Sequence, residues 1–179
     1  MIDHQRRRGT WDLVLPSLGS LAFLVIAPGT LAGLVPWWLS RWRFEPPLLG
    51  WSAGRAIGVV LLLAGVVVLV DSFARFALEG RGTPAPVYPT KRLVVSGLYR
   101  FVRNPMYLAV ISTILGQAVL LGSRDLLWYA VLVALGFHAF VLLYEEPTLR
   151  GRYGSEYVSY CAAVNRWIPR LGGRPDAEV

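Results

Sequence analysis

Four stretches of the chain contain no Asp, Glu, Lys or Arg: residues 13–40, 56–70, 104–123 and 126–144. A helix needs about 20 mostly apolar residues to cross the hydrocarbon of a bilayer. Three of the windows reach that length or nearly so. The second is short, but Arg55 can snorkel at its start and the apolar pattern resumes after Asp71. The expected fold is an all-α integral membrane protein with about four transmembrane helices. A chain that is 55% hydrophobic and only 16% charged agrees with that class. Pro16, Pro28 and Pro36 fall in the first window, so that helix is expected to be kinked or split in two. Its basic head resembles a signal peptide, but the run is too long and no clear cleavage site follows. A retained helix is expected.

Basic residues set the orientation. With an inside N-terminus, the inner side holds Arg6, Arg7, Arg8, Arg75, Arg81, Lys91, Arg92, Arg100, Arg103, Arg150, Arg152, Arg166, Arg170 and Arg174. Those are fourteen of the eighteen, and only Arg41, Arg43, Arg55 and Arg124 fall outside. The bias predicts both termini in the cytoplasm. Trp37, Trp38, Trp42, Trp51 and Trp128 then form an outer aromatic belt. The net charge of +7 reads as topology and affinity for anionic lipid. It is spread over loops with no nucleic-acid motif, so no nucleic-acid partner is expected. Cys161 is the one cysteine, and His4 and His138 lie far apart, so neither an internal disulfide nor a metal site is expected.

The third and fourth windows are joined by about three residues, Arg124 and Asp125 among them. So short a link predicts an antiparallel helical hairpin. The start of the third helix and the end of the fourth must then share one membrane face. Arg103-Asn104-Pro105-Met106-Tyr107 stands at the first, and Tyr144-Glu145-Glu146-Pro147 at the second. Asn104 suits the N-cap and Pro105 the first helical position, which makes the helix start a site for a carboxylate or phosphate. The plainer alternative is a capped helix with Arg103 anchored to lipid phosphate. Glu145 and Glu146 point in different directions around a helix, one toward the hairpin and the other toward water or Arg103. At a helix C-terminus two acids oppose the dipole, which argues for a role as hydrogen-bond acceptors over a merely polar helix end.

After Pro147, apolar or aromatic Leu149, Tyr153, Tyr157, Tyr160, Cys161, Val164, Trp167 and Ile168 recur at helical spacing. An amphipathic interfacial helix with a break near residues 151–154 is expected, either as a roof over the hairpin's base or as a plain surface anchor. The stretch GRGTPAPVYPTK, residues 80–91, is an extended loop.

GRGTPAP, then KRLVVSGLYRFVRNPMY, a hairpin, then EEPTLRGRYGSEYVSYCAAVNRWIP is an ordered set of motifs over residues 80–169. It resembles the isoprenylcysteine carboxyl methyltransferase and phospholipid methyltransferase superfamily of integral membrane enzymes. The resemblance implies S-adenosylmethionine as cofactor, held at the cytoplasmic face between the last helices and the C-terminal segment; the expected location of the chain is the bacterial inner (cell) membrane. It implies a cofactor lining of Lys91, Arg92, Leu93, Val94 and Tyr99. Arg103, Asn104, Pro105 and Tyr107 match the Arg-His-Pro-x-Tyr element, Glu145 and Glu146 the Glu-Glu pair, and Tyr153, Tyr157 and Tyr160 the aromatic positions beyond. Arg103, Glu145 and Glu146 are the catalytic candidates. Asn104 replaces the His of the prenylcysteine enzymes and cannot act as a base. Val141 falls in the region where those enzymes carry a carboxylate-binding arginine, so the resemblance does not carry prenylcysteine over as the substrate, and the implied acceptor is a lipophilic or amphipathic small molecule or a lipid. The whole chain is expected to be one membrane domain: N-terminal helices to residue 79, a methyltransferase-like region 80–169 and a short tail. An NADPH-dependent membrane reductase and a non-catalytic membrane scaffold are the alternatives.

Overall fold

The computed structural model describes residues 25–78 and 93–170, and every regular element among them is helical. The first helix, α1, is Val25–Ser40; α2 is Gly54–Leu78, α3 Pro105–Leu121, α4 Arg124–Tyr153 and α5 Ser155–Ala163. Short 3-10 turns, Leu48–Gly50 and Gly97–Arg100, precede α2 and α3.

Among the described residues, two helices are long and apolar enough to span a bilayer: 23 residues from Gly54 to Phe76 within α2, and the 30 residues of α4. Only 28% and 22% of their most apolar windows are buried. Val60, Leu63 and Val67 on α2, and Trp128, Leu132, Leu135 and Leu143 on α4, are exposed. Apolar faces of that extent suit lipid and not water. The described part of α1 and the 17 residues of α3 are shorter. At 1.5 Å per residue α3 reaches about 25 Å.

Helix α3 is central. Ala109, Val110, Ile114 and Ala118 are almost fully buried. Leu69 and Phe73 of α2 and Ala130 of α4 join its core, with Leu31 and Ala32 of α1 packed alongside. Against α2 the backbones nearly touch. A Cβ added at Gly58 would meet Gly116 O at 2.9 Å, and one added at Gly116 would meet Gly58 O at 2.8 Å. Ser112 Oγ donates across the seam to Leu61 O at 3.0 Å. Such small-residue seams hold helices together in lipid, where packing replaces the hydrophobic effect.

The described part of the first window is one helix, accommodated at Pro36 by a π-helical turn, Thr30–Leu34. Val35 N–H reaches back five residues to Thr30 O. Pro36 has no N–H to offer, so carbonyls one turn earlier need other donors. Tyr129 OH donates to Leu31 O at 2.9 Å and Gln117 Nε2 to Ala32 O at 2.7 Å. Polar groups at membrane depth are thus satisfied from neighbouring helices.

The hairpin link is shorter than expected: only Gly122 and Ser123 separate α3 from α4, and Arg124 and Asp125 lie in the first turn of α4. Gly122 takes φ 80°, and a Cβ there would strike Pro46 O. Ser123 Oγ accepts from Leu126 N–H. The exposed tryptophans Trp37, Trp38, Trp51 and Trp128 all belong to this end of the bundle, around the α1–α2 and α3–α4 connections.

A second correction concerns Pro147. The fourth helix does not stop before it. A π-helical turn, Val141–Glu145, again lies just ahead of the proline, with Glu146 N–H bonding Val141 O, and the helix continues to Tyr153. Glu145 and Glu146 therefore sit inside a continuous helix, and the dipole argument drawn from a helix end does not apply to them. The tail breaks at Gly154 (φ 54°), re-forms as α5, and ends at Ala163. Trp167 and Ile168 lie beyond it in an irregular strap, 164–170, and not on the expected helical face.

Candidate active site

The strap runs back beside the start of α3. Val102 and Asn165 form an isolated parallel bridge, Arg103 N–H donates to Asn165 O at 2.9 Å, and Arg170 N–H to Phe101 O at 2.9 Å. Helix α5 docks on the connector ahead of α3. Buried Tyr157, Tyr160 and Val164 pack on Leu93, Val95, Leu149 and Tyr153, and Tyr160 OH donates to Tyr99 O at 2.7 Å. Three chain segments thus meet at one end of the hairpin.

Between them lie the charged residues. Glu146, nearly buried, receives Arg166 through two bonds, Nε–Oε1 at 2.6 Å and Nη2–Oε2 at 3.0 Å. This paired geometry is the strong form of an Arg–carboxylate contact. Arg103 Nη1 lies 3.0 Å from Glu146 Oε1 and 2.7 Å from Cys161 Sγ. One carboxylate therefore sits between two guanidiniums. Glu145 faces the other way and accepts from Tyr107 OH at 2.6 Å. The neighbouring acids divide as adjacent helical positions must, one to the hairpin and one to Arg103. Arg103 turns inward, with 11% of its side chain exposed, and does not reach out as a surface anchor.

Tyr107 packs on Phe137 with ring centroids 4.5 Å apart and faces Trp167 at 6.5 Å. Trp167 Nε1–H donates to His138 Nδ1 at 3.0 Å. Tyr99 is buried edge-on against Phe76. Gly97, at φ 56°, leaves room for the Arg75 guanidinium, which bonds Ser96 Oγ and pairs with Asp71 one turn away. That clasp fixes the connector carrying Tyr99 to α2.

Burial pushes the hydroxyls of Tyr99, Tyr157 and Tyr160 well above the ordinary phenol range, so each stays protonated. Arg166 is raised as well, chiefly by its bonds to Glu146.

Of the residues singled out from sequence, Arg103, Tyr107, Glu145 and Glu146 come together, with buried Asn104 and Pro105 behind Arg103. Asn104 occupies the N-cap position, but its side chain does not cap α3. Its amide donates instead to Arg166 O at 3.2 Å, tying strap to helix start. Leu93, Tyr153 and Tyr157 belong to the adjoining apolar cluster, and Val94 and Tyr99 are buried in the connector. Lys91 and Arg92 lie outside the described residues. Arg166, Trp167 and His138 were not foreseen, because no periodicity announces the strap's return. Among the described residues no three His, Cys, Asp or Glu side chains cluster as metal ligands.

The profile of the phospholipid methyltransferase family matches residues 53–156. The chain belongs to that family. The match takes in α2, α3, α4 and the first residues of α5, and so begins earlier than the motifs at residues 80–169. The close seam between α2 and α3 gives a physical reason for α2 to be part of the same unit. No curated protein and no solved structure matches the chain. Membership of the phospholipid methyltransferase family places the protein among membrane methyltransferases. With the two apolar spans, it makes the chain an integral membrane protein.

Proposed function

We propose that the protein transfers a methyl group from S-adenosylmethionine to a lipophilic or amphipathic acceptor, a phospholipid in the first instance. In this reading four helices span the bilayer of a bacterial inner membrane, both termini are cytoplasmic, and the site lies at the cytoplasmic face. The observation that carries it is the meeting of Arg103, Tyr107, Glu145 and Glu146 within the segment that matches the family.

The residues fit the cofactor. Arg103 Nε is buried and has no hydrogen-bond partner among the described residues, a donor suited to the carboxylate of an amino acid. Glu145 keeps one oxygen beyond its bond from Tyr107, an acceptor suited to an ammonium or a hydroxyl. The half-buried ring of Tyr153 suits a sulfonium. Bound S-adenosylmethionine supplies an electrophilic methyl carbon on a positively charged sulfur.

The chain's own contribution is mostly positioning. Glu146 pairs with both Arg103 and Arg166, leaving one net positive charge on the three, and fixes the angle of the Arg103 guanidinium. Glu145, oriented by Tyr107 OH, accepts the proton of an ammonium acceptor; a carboxylate acceptor has none to give. Phe137 and Trp167 flank Tyr107 and keep water from its ring. The family resemblance assigns Lys91, Arg92, Leu93 and Val94 to the cofactor lining, with Lys91 and Arg92 outside the described residues.

A thermal-stability panel on detergent-purified protein tests the reading. S-adenosylhomocysteine and S-adenosylmethionine are expected to raise the melting temperature, by about 2.7 kcal/mol of stabilisation at a hundred times the dissociation constant. NADPH is expected to leave it unchanged. Stabilisation by NADPH with no response to either adenosyl compound would overturn the proposal in favour of a reductase.

A further inference from the structure

His138 stands in a stretch of α4 that has no Asp, Glu, Lys or Arg from Leu126 to Tyr144. It lies seven residues before Glu145, about 10 Å along the helix axis. Leu135 and Leu142, three residues before and four after, are exposed and apolar, so His138 belongs to a lipid-facing stripe and is itself exposed. An ionisable ring in such a place is costly without a partner and usually serves a function.

One ring nitrogen is committed. Nδ1 accepts the hydrogen bond from Trp167 Nε1 at 3.0 Å, so the ring hydrogen resides on Nε2. Nε2–H is then a donor held at a fixed angle by the strap. On a lipid-facing surface an unmet donor is unfavourable. The acceptors a phospholipid offers are its ester and phosphate oxygens. Trp167 also faces the ring of Tyr107, whose hydroxyl bonds Glu145. His138 and Glu145 thus lie on the lipid side and the polar side of one aromatic wall.

We propose that His138 is an acceptor-binding residue, whose Nε2–H donates to an ester or phosphate oxygen of the phospholipid and so aims its head group past Trp167 toward Glu145. This rests on the methyltransferase reading above. The alternative is that His138 only locks the strap through Trp167. Acceptor binding predicts sensitivity to the donor at Nε2, whereas a lock predicts sensitivity to the Nδ1 contact.

The test titrates thermal stabilisation of the full-length protein with short-chain phosphatidylethanolamine and, separately, with S-adenosylhomocysteine. His138→Phe is expected to raise the lipid midpoint about tenfold and leave the S-adenosylhomocysteine midpoint unchanged. His138→Gln, which places an amide donor near the Nε2 position, is expected to stay within about twofold of the native lipid midpoint. An unmoved lipid midpoint in His138→Phe overturns the proposal, as do lipid and cofactor midpoints that move together. If His138→Phe does not purify as one species, His138→Met takes its place in the same comparison. A native protein that responds to lipid but not to S-adenosylhomocysteine refutes the methyltransferase reading, and the His138 comparison remains a separate result.

Discussion

Gly116→Leu is expected to destabilise the protein by about 3 kcal/mol, the upper range for overpacking a tight contact. The reason is geometric. Even a Cβ at Gly116 would stand 2.5 Å from Leu62 N and 2.8 Å from Gly58 O. These are backbone atoms of α2, which cannot swing aside as a side chain can. The helices must separate, and the bond from Ser112 Oγ to Leu61 O is lost with the seam. Gly136→Leu provides the control, since a Cβ there meets nothing within 4 Å and faces lipid. Melting curves in detergent compare the two. A Gly116→Leu protein as stable as Gly136→Leu would mean that α2 and α3 do not pack as described.

Glu146→Ala is expected to cost about 3–5 kcal/mol, because it leaves two guanidiniums facing each other with no carboxylate between them. Only 10% of the Glu146 side chain and 11% of that of Arg103 is exposed, so water can do little for Arg103 once its partner is gone. Arg166 is 29% exposed and loses less. Replacing the pair together, Arg103→Met with Glu146→Leu, is expected to be milder than Glu146→Ala alone, since no unpaired buried charge remains. Chemical or thermal denaturation of Arg103→Met, Glu146→Leu and the double variant gives the coupling directly. Additive effects would mean that Arg103 and Glu146 do not act as a pair.

The hairpin was legible in the sequence. Two charge-free windows of similar length and a minimal link suffice to bring residues 103–107 beside 145–146, because so short a link makes the windows run antiparallel and puts their far ends at one face. The division of the acids was legible too, since neighbours on a helix point apart. Pro147 misled, because a proline reads as a helix stop unless a widened turn precedes it, and a π turn has no sequence signature. Asn104 misled for a related reason. An N-cap side chain competes between its own helix and distant acceptors, and here Arg166 O, brought by the strap, wins. Arg166 itself was beyond reach. Its place depends on the pairing of Val102 with Asn165, a contact across 63 positions that no local pattern encodes.

The most direct measurement follows a labelled methyl group. The native protein in vesicles of phosphatidylethanolamine and phosphatidylglycerol, given S-adenosylmethionine labelled at the methyl carbon, is expected to move the label into the organic-extractable lipid. Glu145→Gln, which keeps its size and loses its charge, is expected to slow that transfer about tenfold or more. Label that stays in the aqueous phase with native protein, while S-adenosylhomocysteine fails to bind, would contradict the account.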